Sequence, residues 1–320
     1  MIKSFCLLPC TSYLLPSTFS IFNLLCERGN TEMSAIITIK PKGLFGKKLC
    51  LKDLLTEELT YGIDDPYGRF EEGKEGSYTI IFDPDDIGRG VQIHFDGTET
   101  ELHLNYFNSR HDIELCYMLV SRVCKLQGVD TFVREGETFR LGQIEQAIQR
   151  DIDANSYALQ VAANNIASGE TKKLTVFAAV NPLDIGEKEI ALFGTDIDKF
   201  SRWLHERQSA DRYYAVPHFY EKPDGTTFGS FAIRAGVLSI IPLVPEIPMS
   251  MKGQFEVSDW YVLLGYNDES RESDGKMKVV PYDKLVENVP DGEYYDANHM
   301  IVELTDDDVD ELLGQFITQI

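Results

Sequence analysis

Two short turns constrain this fold more than any other feature of the sequence. Asp96-Gly97 separates the runs Val91–Phe95 and Glu101–Phe107, and Asp83-Pro84-Asp85-Asp86 follows the run Tyr78–Phe82. Asp-Gly supplies the positive φ that a tight hairpin turn requires. The three runs are therefore predicted as consecutive antiparallel strands, because parallel neighbours would need a crossover of a dozen or more residues. A helix must follow at once. Ser109 is its predicted N-cap, with Asp112 three residues on, and Ile113, Cys116, Val120 and Val123 form one apolar stripe that ends before Gly128.

The same reading places a strand at Ser34–Lys40, a short helix at Lys52–Glu58 and a loop over Tyr61–Gly76. Short strands at Thr131–Arg134 and Thr138–Leu141 lead into a long helix over Gln143–Ala167. Lys173–Val180 reads as a buried strand with Ile190–Phe193 beside it, and Thr195 caps a helix running to Gln208. Strands are expected at Tyr213–Glu221, Gly229–Ile241, Trp260–Tyr266, Met277–Val280 and Met300–Leu304, with helices at Asp283–Val289 and Asp306–Ile317. Strands come in clusters with helices interspersed, so the expected class is α+β, with mixed or antiparallel sheets in two packed lobes. The lobes are expected at 33–168 and 169–320, with the boundary at the turn after the long helix.

The first 32 residues differ from the rest. Residues 1–26 hold no Asp or Glu and half of the six cysteines. Pro9 and Pro16 interrupt any signal-peptide stretch. Residues 1–32 are expected to be a non-native leader or a disordered arm, with the start at Met33. That leaves Cys50, Cys116 and Cys124, an odd number without a C-x-x-C pair, as expected for thiols in a reducing compartment.

Three stretches resemble an uncharacterised bacterial family, domain of unknown function 4299: S-A-I-I-T-I-K-P-K-G-L-F-G-K-K at Ser34–Lys48, N-S-R-H-D-I-E-L at Asn108–Leu115 and P-H-F-Y-E-K-P-D-G at Pro217–Gly225. The likeness runs from Met33 to about Ile317. It implies a start at Met33 and a cytoplasmic bacterial protein, and it transfers no catalytic residue.

Charge narrows the function. Lys+Arg 30 against Asp+Glu 52 gives a net −22, a field that repels phosphate backbones, so nucleic acid is not an expected partner. The basic island Lys42–Lys48 reads as a tight turn or an acidic-partner contact. No run of eighteen apolar residues suggests a membrane span. From Leu285 to the end there are ten acidic residues and no Lys or Arg, which marks a surface for a basic protein partner. Pro242, Pro245 and Pro248, spaced by three among apolar neighbours, read as a packed connector.

Catalytic signatures such as G-x-S-x-G, H-E-x-x-H, a P-loop or a dinucleotide fingerprint are absent, and no cofactor or metal is expected. Asp151-x-Asp153-x-Asn155 imitates a calcium loop, but Ser156 and Ala162 stand where Gly and Glu are needed. The leading expectation is a non-catalytic acidic protein that binds another protein. The alternative is a metal-assisted or acid–base hydrolase in which Asp83, Asp85 and Asp86 meet His94 and His103, since grouped carboxylates divide acid and base roles or hold a hard cation.

Overall fold

The computed structural model describes residues 3–4, 34–41, 46–271, 279–289 and 292–317. The expected leader lies outside these residues except for Lys3 and Ser4, as do positions 42–45 of the basic island. The class is α+β. The described residues up to Ala210 form one compact unit, and those from Asp211 onward form a second together with Lys3–Ser4.

The first unit is built on an eight-stranded sheet. Its strands are β1 (Ser34–Ile39), β2 (Thr60–Asp64), β3 (Phe70–Glu72), β4 (Thr79–Phe82), β5 (Val91–Asp96), β6 (Glu99–Asn105), β7 (Thr131–Arg134) and β8 (Glu137–Arg140). They lie in the order β3-β2-β4-β5-β6-β1-β7-β8, every neighbour antiparallel. Alternation along β1 and β6 sends Ile37, Ile39, Leu102 and Leu104 to one face. There they share a core with Ile113, Cys116, Leu119, Val120 and Val123 of helix α1 (Arg110–Gln127). The expected stripe is the buried one, and Gly128 ends the helix in the left-handed conformation.

Helix α2 (Ile144–Ala167) is anchored by a buried ion pair. Asp151 accepts from Arg134 of β7, at 3.0 Å from Nε, and from the Tyr117 hydroxyl of α1 at 2.6 Å. Asn155 Oδ1 accepts from the Asn108 amide at 2.8 Å. The residues that imitate a calcium loop therefore tie a helix to its sheet.

The turn after α2 does not end this unit, unlike the boundary expected at 168/169. It leads to the hairpin β9 (Leu174–Phe177) and β10 (Pro182–Ile185), then to α3 (Glu187–Phe193) and α4 (Ile197–Gln208). These elements bond back to the first sheet: Ala179 N–H donates to Gly88 O at 3.0 Å, and Phe70 N–H to Val180 O at 2.9 Å. Four local expectations also change. Residues 190–193 are helical because the Glu189 carboxylate accepts from the Gly186 amide and caps the helix start. The cap of α4 is Asp196 rather than Thr195, accepting from the Asp198 and Lys199 amides. The loop expected at 61–76 contains β2 and β3, while the helix expected at 52–58 is one 3₁₀ turn, Leu51–Asp53.

The second unit has two sheets. In the first, a two-residue pairing at Lys3–Ser4 borders β12 (His218–Glu221), followed by β13 (Thr227–Arg234), β15 (Val257–Gly265) and β16 (Val279–Pro281); β13 and β15 are parallel. The other runs β11 (Tyr213–Tyr214), β14 (Ser239–Pro242), β18 (His299–Val302), β17 (Glu293–Tyr294), with β11 and β14 parallel. The single strand expected at 229–241 is thus two strands in different sheets. Gly236, at φ +74, makes the break. Helices α5 (Tyr282–Asn288) and α6 (Asp306–Phe316) share one core with these strands through Leu285, Val309, Leu312 and Leu313. The proline segment starts packed, with Ile240, Ile241 and Pro242 buried, and beyond Leu243 it is pinned by its backbone. Val244 exchanges two 3.2 Å hydrogen bonds with the Asn298 side chain and keeps its own side chain 60% exposed. No helix among the described residues is long and apolar enough to cross a membrane.

Candidate functional site

The Asp83–Asp86 turn forms as the sequence implies, through short polar contacts. Asp83 Oδ1 accepts from the Asp85 amide at 2.9 Å, and the Asp83 carbonyl accepts from the Asp86 amide at 3.1 Å. Asp85 is exposed and faces solvent. The histidine that meets this turn is His111, on the first turn of α1: its Nε2 lies 3.2 Å from Asp83 and its Nδ1 3.6 Å from Asp86. With a carboxylate at each ring nitrogen, His111 clamps the turn when doubly protonated.

His94 and His103 do not join it. Thr79 pairs with Ile93, so His94 lies beside the Tyr78 end of the hairpin, while Asp83 follows Phe82 at the other end. Five residues of strand separate the two places by about 17 Å. The two imidazoles instead flank Tyr78, at ring centroid distances of 5.1 and 4.9 Å. His94 Nδ1 contacts the Ser77 carbonyl, and His103 lies 3.6 Å from Glu101. The expected convergence of Asp83, Asp85 and Asp86 with His94 and His103 is therefore corrected by strand register.

The residues after the turn explain why it sits against α1 and α4. Ile87 N–H donates to His205 Nδ1 at 3.0 Å, and Gln208 Nε2 donates to Gly88 O at 2.9 Å. Asp112, fully buried, accepts from the amides of Arg89 (2.8 Å), Gly90 (2.9 Å) and Ser109 (3.0 Å), while its own amide donates to Ser109 Oγ. The predicted capping box is thus present and also receives the next loop. Burial pushes the Asp112 carboxyl up, against the pull of these amides. Burial likewise brings the Arg89 guanidinium down to about 10, with Asp112 and Asp64 opposing. Only glycine fits at 88: a Cβ there would lie 2.0 Å from Asp112 Oδ2 and 2.5 Å from Ser109 Oγ. This corner is a joint between three elements, and its polar groups are engaged in holding it.

A second constellation lies in the other unit, and local sequence patterns did not reveal it. Asp296-Ala297-Asn298-His299 turns the chain between β17 and β18. Asp296 Oδ1 accepts from the amides of Asn298 (3.0 Å) and His299 (2.9 Å) and meets His299 Nδ1 at 2.8 Å. An ionised oxygen that accepts from two amides cannot donate, so Nδ1 carries the proton. His299 Nε2 lies 3.0 Å from the Tyr214 hydroxyl and accepts from it when the imidazole is neutral. Asp296 is fully buried, His299 nearly so and Tyr214 half-buried. A carboxylate that orients an imidazole whose far nitrogen contacts a hydroxyl is the arrangement that moves a proton to and from that hydroxyl. The Asp-x-x-His spacing within a hairpin loop is a local signal. Tyr214, on a distant strand, leaves none.

The acidic C-terminal stretch is largely at work inside the fold. Asp308 completes a capping box with Thr305, Asp306 accepts from the Asn267 and Asp268 amides, and Asp310 accepts from the Tyr266 hydroxyl at 2.7 Å. Asp307 faces outward with a 90% exposed side chain. Arg271 lies 3.1 Å from Asp307 and 3.0 Å from Asp310, one cation shared by two carboxylates. Glu293, Glu303 and Glu311 are exposed.

No curated protein and no solved structure matches the chain. One family model does, over residues 34–312, and its opening at Ser34 coincides with β1. The chain belongs to the family described as domain of unknown function (DUF4299).

Proposed function

We propose that this protein acts in the cytoplasm by binding a basic protein partner through the exposed carboxylates of its second unit. One observation carries the reading. Between positions 279 and 317 the sequence holds eleven Asp and Glu against a single cation, Lys284. That lysine is already engaged by Glu287 at 2.7 Å and Asp283 at 3.6 Å. Among the described residues, Glu293, Glu303 and Glu311 thus present exposed negative charge, and Asp307 adds a 90% exposed carboxylate that Arg271 only partly offsets, on a chain of net −22. Such a field accelerates encounter with a basic surface and selects against acidic ones. The buried thiols Cys116 and Cys124 agree with a reducing compartment.

Affinity capture from the source cell, washed at rising salt, tests this reading. A stoichiometric basic protein should be retained at low salt and released as screening shortens to about 3 Å near 1 M. Recovery of no stoichiometric partner at low salt would count against it.

A further inference from the structure

Beyond binding, we propose that Tyr214 is a nucleophile for activated acyl esters, with His299 as its general base and Asp296 as the group that orients the base. Three features of the second unit support this. The buried Asp296 carboxylate fixes His299 with its proton on Nδ1, leaving the Nε2 lone pair directed at Tyr214 Oη, 3.0 Å away. The two rings lie 5.3 Å apart at 47°, so the hydroxyl meets the imidazole edge. Tyr214 also lies on β11, the edge strand of its sheet, and is half-buried.

The chemistry balances within these groups. Oη attacks the ester carbonyl, the Oη–C bond forms and the bond to the leaving alkoxide or phenolate breaks. The phenol proton passes to Nε2, and the resulting imidazolium is stabilised by Asp296 before it releases the proton to the leaving group or to water. A phenol suits this base: its ordinary value near 10 is about 3.5 above that of imidazole, a far smaller gap than for an aliphatic hydroxyl.

The test uses the full chain and p-nitrophenyl acetate, with acetylation of each tyrosine followed by peptide mass spectrometry. Tyr213, the neighbouring residue on the same strand and 37% exposed, is the internal reference. Tyr214 should be acetylated about 100-fold faster than Tyr213. His299→Gln should reduce that ratio to near one without changing the Tyr213 rate, and Asp296→Asn should reduce it about tenfold or more. In the unsubstituted protein, the Tyr214-to-Tyr213 ratio should be greatest near neutral pH and fall toward about pH 10, where an unaided tyrosine reacts as its phenolate. The pH profile decides the matter even if a substitution prevents folding. Absence of acetylation at Tyr214, a ratio unchanged in His299→Gln, or a ratio that does not fall toward about pH 10 overturns the proposal.

Discussion

Asp151→Ala should be among the most damaging single substitutions in the first unit. Asp151 is 2% exposed and Arg134 5% exposed, and the carboxylate also receives the hydroxyl of fully buried Tyr117. Removing the carboxylate leaves a guanidinium in the interior, which costs about 3–5 kcal/mol. The orphaned phenol adds to this but shares the same site, so the effects do not sum, and about 4 kcal/mol is the expected total. At a urea slope of about 2 kcal/mol/M, the unfolding midpoint falls by about 2 M. The two tryptophans make the assay specific, because Trp203 lies in the first unit and Trp260 in the second. In a Trp260→Phe background, Trp203 fluorescence follows the unit that contains Asp151. Replacing both partners, Arg134→Met with Asp151→Leu, should recover most of the loss, since no charge is then stranded. A midpoint shift below about 0.5 M for Asp151→Ala would refute the claim that this pair joins α2 to the sheet.

Other outcomes follow from the same geometry. Gly88→Ala forces a Cβ onto Asp112 and Ser109 and should cost about 2 kcal/mol or more in the same assay; an unchanged midpoint would show that the joint yields. Burial and the bond to Asp310 push the Tyr266 phenol up to about 12, which favours its neutral form in the folded state. Its contribution is therefore complete below pH 10 and lost as pH rises through about 12. The stability gap between the unsubstituted protein and Tyr266→Phe, read from Trp260, should hold steady to pH 10 and then close, and a gap constant to pH 12 contradicts this. Iodoacetamide should label exposed Cys50 in the native protein and spare Cys116 and Cys124, whose thiols burial pushes up, Cys124 to about 11; rapid native labelling of either would contradict their placement.

Local chemistry was legible wherever one short segment determined the outcome. The Asp96-Gly97 hairpin, the Ser109–Asp112 capping box and the Thr305 cap of α6 all form where turn and cap residues require. Misreadings arose where a local pattern fits two structures or where distant groups decide. Residues 190–193 have an apolar pattern that suits a strand or a helix, and the Glu189 carboxylate resolves it in favour of a helix. Gly169–Lys172 looks like a boundary, yet the following hairpin and helices bond back to the Gly88 loop, as composition could not reveal. The candidate site shows the same limit. His94 and His103 are close to Asp83 in sequence but at the far end of a hairpin, whereas His111 reaches it through the start of a helix. The Asp296–His299 pair is local, and its tyrosine is 85 residues away.

Contacts within the fold narrow the acidic surface. Asp296, Asp306, Asp308 and Asp310 hold turns, amides or a phenol, so the residues left for a partner are chiefly Glu293, Glu303, Asp307 and Glu311. This defines a direct comparison. The unsubstituted chain and the Glu303→Lys/Asp307→Lys/Glu311→Lys variant, both folded by circular dichroism, serve as parallel baits for the same cell extract at low salt. The account predicts a stoichiometric basic protein on the first bait and its loss from the second. Equal recovery of that protein on both baits would contradict it.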